Sequence, residues 1–119
     1  HPAVICAIEL MQNHISDPLS SEQLARLSNI GERQLSRLFQ KNLGKKVNTF
    51  YTEMRLEHAH TLVTQTSMPV IEIAISAGYE SLNYFSQKFK QVFEYSPAQL
   101  RKNKTNIALE NSQTISQNS

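Results

Sequence analysis

Two stretches of this chain repeat one another 50 positions apart: Leu35-Ser36-Arg37-Leu38-Phe39 and Phe85-Ser86-Gln87-Lys88-Phe89. In each, apolar residues one helical turn apart bracket polar ones, which requires an amphipathic helix with one face in a core. Each stretch follows a short helical segment and a tight turn, with one additional residue in the second turn. The duplicated unit is therefore short helix, turn, longer helix, the layout of a helix-turn-helix whose second helix enters the DNA major groove. A plain bundle of helical hairpins shares these traits, but repetition at a constant offset favours the first reading. With 119 residues the chain holds at most one domain or two very small ones sharing a helix.

Local signals place the helices. Val4, Ile8, Met11 and Ile15 recur at helical spacing, predicting a helix over 3–15 that stops before the Asp17-Pro18 turn. Ser20 and Gln23 have capping-box spacing, flanked by Leu19 and Leu24, and start a short helix over 21–28. Asn29 suits the left-handed residue that ends it. Ile30 then packs with Leu35 across the start of a helix over 32–43, whose polar face carries Arg33, Ser36, Arg37 and Gln40. A long helix over 47–64 shows an apolar stripe of Phe50, Met54, Leu56, Ala59, Leu62 and Val63.

The pattern then restarts. Pro69 opens a short helix with Ile71, Ala74 and Ile75 facing inward, and Gly78 closes it. Tyr79 fills the turn, and Ser81 caps a helix over 82–93 that buries Phe85, Phe89, Val92 and Phe93. Its other face shows Asn83, Ser86, Gln87 and Lys90. Ser96-Pro97-Ala98-Gln99 combines a capping box with proline in the first turn and starts a last helix ending near 103. The expected class is all-α, about seven helices. A first helix-turn-helix subdomain covers 3–46, a linker helix 47–65 and a second subdomain 66–104. Residues 105–119, rich in Asn, Ser, Gln and Thr, read as a mobile polar tail.

Net charge is only +2, but it is segregated. Residues 31–46 set Arg33, Arg37, Lys41, Lys45 and Lys46 against Glu32 alone. Residues 81–104 set Lys88, Lys90, Arg101, Lys102 and Lys104 against Glu94 alone. The segments between are acidic, so two basic blocks alternate with two acidic ones, as a polyanion-binding face requires. Arg55 lies between Glu53 and Glu57 and reads as a structural ion pair. No run approaches the roughly 18 apolar residues of a membrane span. His58 and His60 point to different sides of one helix, and the single Cys6 has no matched base, so neither a metal site nor a nucleophile is expected. No phosphate loop or carboxylate pair is present, and neither an enzyme nor a cofactor is expected. The alternative from another class is a helical interaction module that binds an acidic protein partner.

Leu24-Ala25, Gln34-Leu35-Ser36-Arg37-Leu38-Phe39, Met54-Arg55-Leu56 with Ala59 and Leu62, Ile73-Ala74 with Gly78-Tyr79, Tyr84-Phe85-Ser86-Gln87-Lys88-Phe89-Lys90 and Ser96-Pro97 together resemble the DNA-binding domain of the AraC/XylS family of bacterial transcription regulators. The opening His1-Pro2 and the first helix look most like members whose sensor domain resembles a class I glutamine amidotransferase. Asn29, Gly31, Lys46-Val47 and Glu94 depart from the family pattern at caps and turns. The resemblance implies two helix-turn-helix units that read adjacent major grooves of a promoter or operator. A helix of about 18 residues spans roughly 27 Å, and its end turns bring that towards the 34–36 Å between successive grooves.

By matching motif positions, the resemblance implies that Arg33, Ser36 and Arg37 face bases from the first recognition helix. Leu82, Asn83, Ser86 and Gln87 would do so from the second. Arginine suits guanine, amides suit adenine and leucine suits a thymine methyl, so the two half-sites should differ. Gln40, Lys41, Lys45, Lys46, Lys88, Lys90, Arg101 and Lys102 suit phosphates, as do the helix starts at Ser20, Ser81 and Ser96. The resemblance further implies an activator in the bacterial cytoplasm, at the nucleoid, that touches RNA polymerase. It also implies an effector-binding domain before this segment, a monomeric fragment, and dimerisation of the intact protein. No membrane partner is expected.

Overall fold

The computed structural model describes residues 1–103; the tail expected over 105–119 lies outside them. Within the described residues the regular structure is helical: α1 (Pro2–Asn13), α2 (Ser21–Leu27), α3 (Glu32–Leu43), α4 (Val47–Gln65), α5 (Val70–Ser76), α6 (Leu82–Phe93) and α7 (97–103). The starts follow from side-chain chemistry. At α2 the Ser20 hydroxyl accepts from the Gln23 amide while the Gln23 side chain accepts from the Ser20 amide. Ser96 and Gln99 repeat this reciprocal pair at α7, and Ser81 accepts from the Tyr84 amide at α6. Each such cap contributes about 1 kcal/mol. Asn29 ends α2 with φ 59°, and Gly78 follows α5 with φ 85°.

Two buried clusters form. One joins Val4, Ala7 and Met11 of α1, Leu24 and Ala25 of α2, Leu35 and Phe39 of α3, and Val47 and Tyr51 of α4. The other joins Leu56, Ala59 and Val63 of α4, Ile73 and Ala74 of α5, Ala77 and Tyr79 of the turn, and Phe85 and Phe89 of α6. The long helix thus serves both cores. At about 100° per residue, its N-terminal apolar group and its C-terminal one are centred on the order of 140° apart, so α4 has two stripes on different faces rather than one wide stripe. Tyr51, absent from the expected stripe, is buried in the first cluster, whereas Phe50, Met54 and Leu62 are only half-buried at the edges.

Three inward placements expected from periodicity are corrected: Ile71, Ile75 and Val92 are exposed. In α5 the seven-residue helix buries Ile73 and Ala74, and the residues two before and one after fall on its outer side. Helix α1 ends at Asn13 rather than 15. The His14 carbonyl is taken by the Tyr51 hydroxyl and the His14 ring covers the Leu10 carbonyl, so the chain leaves the helix there.

Tyr51 and Arg55, one turn apart on α4 with the guanidinium 6.0 Å from the Tyr51 ring centre, hold different parts of the chain. The Tyr51 hydroxyl donates to the His14 carbonyl and accepts from the Leu19 amide (3.1 Å), which fixes the α1–α2 loop. The Arg55 guanidinium donates to the carbonyls of Ala77 (2.8 Å) and Gly78 (2.9 Å) and lies 4.4 Å above the Tyr79 ring. The turn of the second unit also touches the first unit directly: a Cβ on Gly78 would stand 2.6 Å from the Ile15 carbonyl oxygen and 2.7 Å from Pro18 Cγ. The expected ion pair of Arg55 with Glu53 or Glu57 is corrected, since Arg55 holds backbone carbonyls and Glu53 is bonded to Lys45.

Candidate nucleic-acid interface

Helices α3 and α6 are equivalent elements, each of twelve residues and each anchored by two fully buried side chains one turn apart, Leu35 and Phe39 in one, Phe85 and Phe89 in the other. Burying these side chains contributes about 1.5–3 kcal/mol apiece and fixes the roll of each helix. That roll decides which residues face outward. On the side roughly opposite the anchors, α3 presents Arg33, Arg37 and Gln40, and α6 presents Asn83, Gln87 and Lys90, all exposed. Ser36, exposed, and Ser86, half-buried, occupy the same flank of their helices, and Leu82 is 39% exposed at the start of α6.

The outward stripe of α3 borders a concavity of about 770 Å³ lined by Arg33, Arg37 and Lys41 with Gln34, Gln40, Gly31 and Leu38. Its lining has three cations and no carboxylate, which favours an anion there. The stripe on α6 is amide-rich instead. A smaller concavity of about 400 Å³ lies between α4 and α6, lined by Thr52, Arg55, Ser81, Tyr84 and Lys88 among others. Tyr84 is 53% exposed and Lys88 Nζ lies 5.5 Å from its ring centre. Tyr84 is not among the residues expected at DNA, although its spacing of four from Lys88 on one helix is the pattern that brings a ring and an ammonium together.

The residues expected at phosphates divide into groups. Ser20, Gln40, Lys41, Lys46, Ser81, Lys90 and Lys102 are exposed, and Lys88 and Ser96 half-buried. Lys45 is exposed but bonded to Glu53 on α4, so releasing it to a phosphate costs that pair. Arg101 is engaged in packing where a phosphate contact was expected. Its guanidinium donates to the carbonyls of Val63 (3.3 Å), Met68 (2.7 Å), Leu62 (3.4 Å) and Thr66 (3.2 Å), tying α7 to the end of α4. Val63 and Leu62 lie in the last turn of α4, where intrahelical donors run out although the Thr66 amide still reaches Leu62, and a cation there also meets the negative end of the helix dipole.

Behind the outer faces, burial pushes the Tyr79 and Tyr51 phenols above their ordinary pKa of 10.0, with the Arg55 charge acting against it in both. Both hydroxyls therefore stay protonated at neutral pH, as Tyr51 must to donate to His14. The Tyr79 hydroxyl and the Ser28 hydroxyl are buried without a hydrogen-bond partner among the described residues. The His60 ring is packed against Phe89 and Phe93 between α4 and α6. Cys6 is half-buried, with Sγ 3.9 Å from the Leu27 carbonyl. Among the described residues no group of three His, Cys, Asp or Glu side chains could hold a metal ion, and no helix is long and apolar enough to cross a membrane.

Comparison with known proteins bears on this arrangement. A helix-turn-helix domain family model matches residues 24–103. The HTH-type transcriptional regulator GlxA of Rhizobium meliloti is 37% identical over 102 residues, which cover 86% of this chain and 32% of that protein. The chain spans about a third of the length of the curated relatives it matches. A crystal structure of an AraC-type DNA-binding-domain-containing transcriptional regulator from Chromobacterium violaceum superposes with TM-score 0.81 at 33% identity, covering 87% of this chain and 92% of that one. The DNA-binding domain of AdpA, a global transcriptional factor crystallised with a target DNA, shares the fold at TM-score 0.79 and 22% identity, covering 86% of this chain and 91% of that one.

Proposed function

Because the chain belongs to the AraC-type family of helix-turn-helix transcription regulators, we propose that it binds double-stranded DNA sequence-specifically, with α3 and α6 in two successive major grooves. The observation that carries this reading is the duplicated outward stripe. Two equivalent helices, each locked in roll by buried anchors, offer Arg33, Ser36 and Arg37 on one and Leu82, Asn83, Ser86 and Gln87 on the other to the same kind of ligand. In this reading the first helix favours guanine through arginine. The second favours adenine through amides and a thymine methyl through Leu82, so the half-sites differ. Lys41, Lys46, Lys90 and Lys102 supply salt-dependent phosphate attraction without sequence choice. The chain would act in transcription without catalysis of its own, in the bacterial cytoplasm. Activation, contact with RNA polymerase, and an effector-binding domain elsewhere in the intact protein belong to the same proposal. The AdpA domain crystallised with its target DNA supports it by shared fold.

Random-site selection with the 119-residue chain, followed by binding measurements on the selected duplex, tests it. Arg37→Ala is expected to weaken the selected duplex about 10- to 100-fold, the equivalent of roughly 1–3 kcal/mol for a bidentate base contact, and random DNA far less. Asn83→Ala is expected to relax preference at the other half-site. Equal losses on selected and random DNA would refute base reading by these side chains.

A further inference from the structure

We propose that Arg55 is the positioning residue that sets the separation and phase of the two recognition helices, and so makes the chain selective for one spacing between its half-sites; this rests on the DNA-binding reading above. Arg55 lies on neither outward stripe. Its guanidinium instead bridges the carbonyls of Ala77 and Gly78, the two residues that lead from α5 into the turn before α6, and covers the Tyr79 ring at 4.4 Å. The turn is thereby held to α4 at a two-pronged, planar contact that resists both sliding and rotation. One helical turn earlier, Tyr51 ties the same helix to the His14–Leu19 loop of the first unit.

The third side of the joint is direct. Gly78 meets Ile15 and Pro18 so closely that a Cβ there would stand 2.6 Å from the Ile15 carbonyl oxygen. Loop, long helix and turn thus meet at one place, with the Arg55 side chain at the centre. The linker helix fixes the distance between the two units, and the second is held to it by apolar packing and, at the far end of α4, by Arg101, which leaves the turn beside the first unit free to rock about that end. The bridge to Ala77 and Gly78 removes that freedom. Linked modules gain affinity from one another only where their geometry fits both sites at once, so removing the rocking converts fit into spacing selectivity.

The test uses duplexes built on the sequence that the chain itself selects. In one series the spacer between half-sites is lengthened or shortened by one and two base pairs, and each half-site is also offered alone. One base pair turns the second half-site by about 35°. The wild-type chain is expected to lose at least about tenfold in affinity per base pair of misfit. Arg55→Ala and Arg55→Lys, the second retaining charge but not the two-pronged bridge, are expected to bind isolated half-sites within about twofold of wild type while spacing discrimination falls to about threefold. An unchanged spacing profile would overturn the proposal, as would equal losses on half-sites and paired sites, the mark of a merely less stable protein. A DNA-free measurement accompanies it: spin labels at the exposed Asn42→Cys and Gln91→Cys on a Cys6→Ser background. The inter-label distance is expected to be narrow with Arg55 and broad with Arg55→Ala. A wild-type chain that selects no sequence overturns the DNA reading and the spacing claim with it, whereas an unbroadened distance in Arg55→Ala overturns the joint itself.

Discussion

Gly78→Ala should be far more costly than its size suggests, and the three glycines of the chain allow the reason to be isolated. Gly31, at the start of α3, has φ −71° and nothing within 4 Å of the place a methyl group would take. Alanine there is expected to change stability by no more than about 0.5 kcal/mol. Gly44 ends α3 with φ 67° and equally open surroundings, so alanine adds only the left-handed backbone penalty of about 1–2 kcal/mol. Gly78 has φ 85°, and a methyl on it would in addition collide with the Ile15 carbonyl and the Pro18 ring. Neither neighbour is the free end of a flexible side chain. The second contribution is that of overpacking, about 1–3 kcal/mol, for a total of about 2–5 kcal/mol. Against the roughly 5–15 kcal/mol typical of a whole domain, this is large. Urea unfolding of the three variants followed by far-UV circular dichroism measures the series. The expected order of midpoint loss is Gly78, then Gly44, then Gly31, and the Gly78 variant should also show the two clusters unfolding in separate steps. If Gly78→Ala costs no more than Gly44→Ala, the close approach of the second turn to the first unit is refuted.

Glu94 occupies in α6 the C-terminal position that Gly44 occupies in α3, and takes φ 73° with a side chain present. Glu94→Gly is expected to raise stability by about 1 kcal/mol, measured as a higher unfolding midpoint, and a lower midpoint would contradict the strain. Tyr79→Phe removes a buried hydroxyl that has no partner among the described residues and keeps the ring under Arg55. Thermal melting should show an unchanged or slightly higher Tm, with a gain of up to about 1 kcal/mol, and a loss of more than that would reveal a hidden partner. Arg101→Met removes the donors that tie α7 to the Val63 and Met68 carbonyls, with an expected loss of about 1–3 kcal/mol in stability. The slope of log affinity against log salt for DNA should not change, and a slope shallower by about one unit would return Arg101 to the phosphates.

Elements whose ends are set by adjacent residues are legible from the sequence. Ser20 with Gln23 and Ser96 with Gln99 announce their caps within four residues, and the boundaries of α3 and α6 follow from the repeat. The outward stripes are legible for the same reason: once Leu35, Phe39, Phe85 and Phe89 are anchors, helical geometry leaves little choice for Arg37 and Gln87. What escapes depends on distant partners. Tyr51 reads as an ordinary residue on a helix until the His14–Leu19 loop arrives to meet its hydroxyl. Arg55 sits between two glutamates in sequence, and only the fold brings the Ala77 and Gly78 carbonyls within its reach. Ile75 follows helical periodicity, yet so short a helix touches its neighbours along too narrow a strip to bury it. Arg101 resembles a member of a basic block because charge counting is blind to carbonyls left open at a helix end.

Helix α4 feeds one core from one face and the other core from a different face, and this limits how such a chain can change over generations. Adding or deleting a single residue between Met54 and Leu56 would swing everything downstream by about 100°, like a key cut one notch out of step. Insertions of about seven residues, close to two full turns, would nearly restore the original bearing while lengthening the reach by about 10 Å. Lineages carrying this architecture should therefore vary the length of their central helix in jumps rather than by single steps, and adjust their target sites in the same discrete increments.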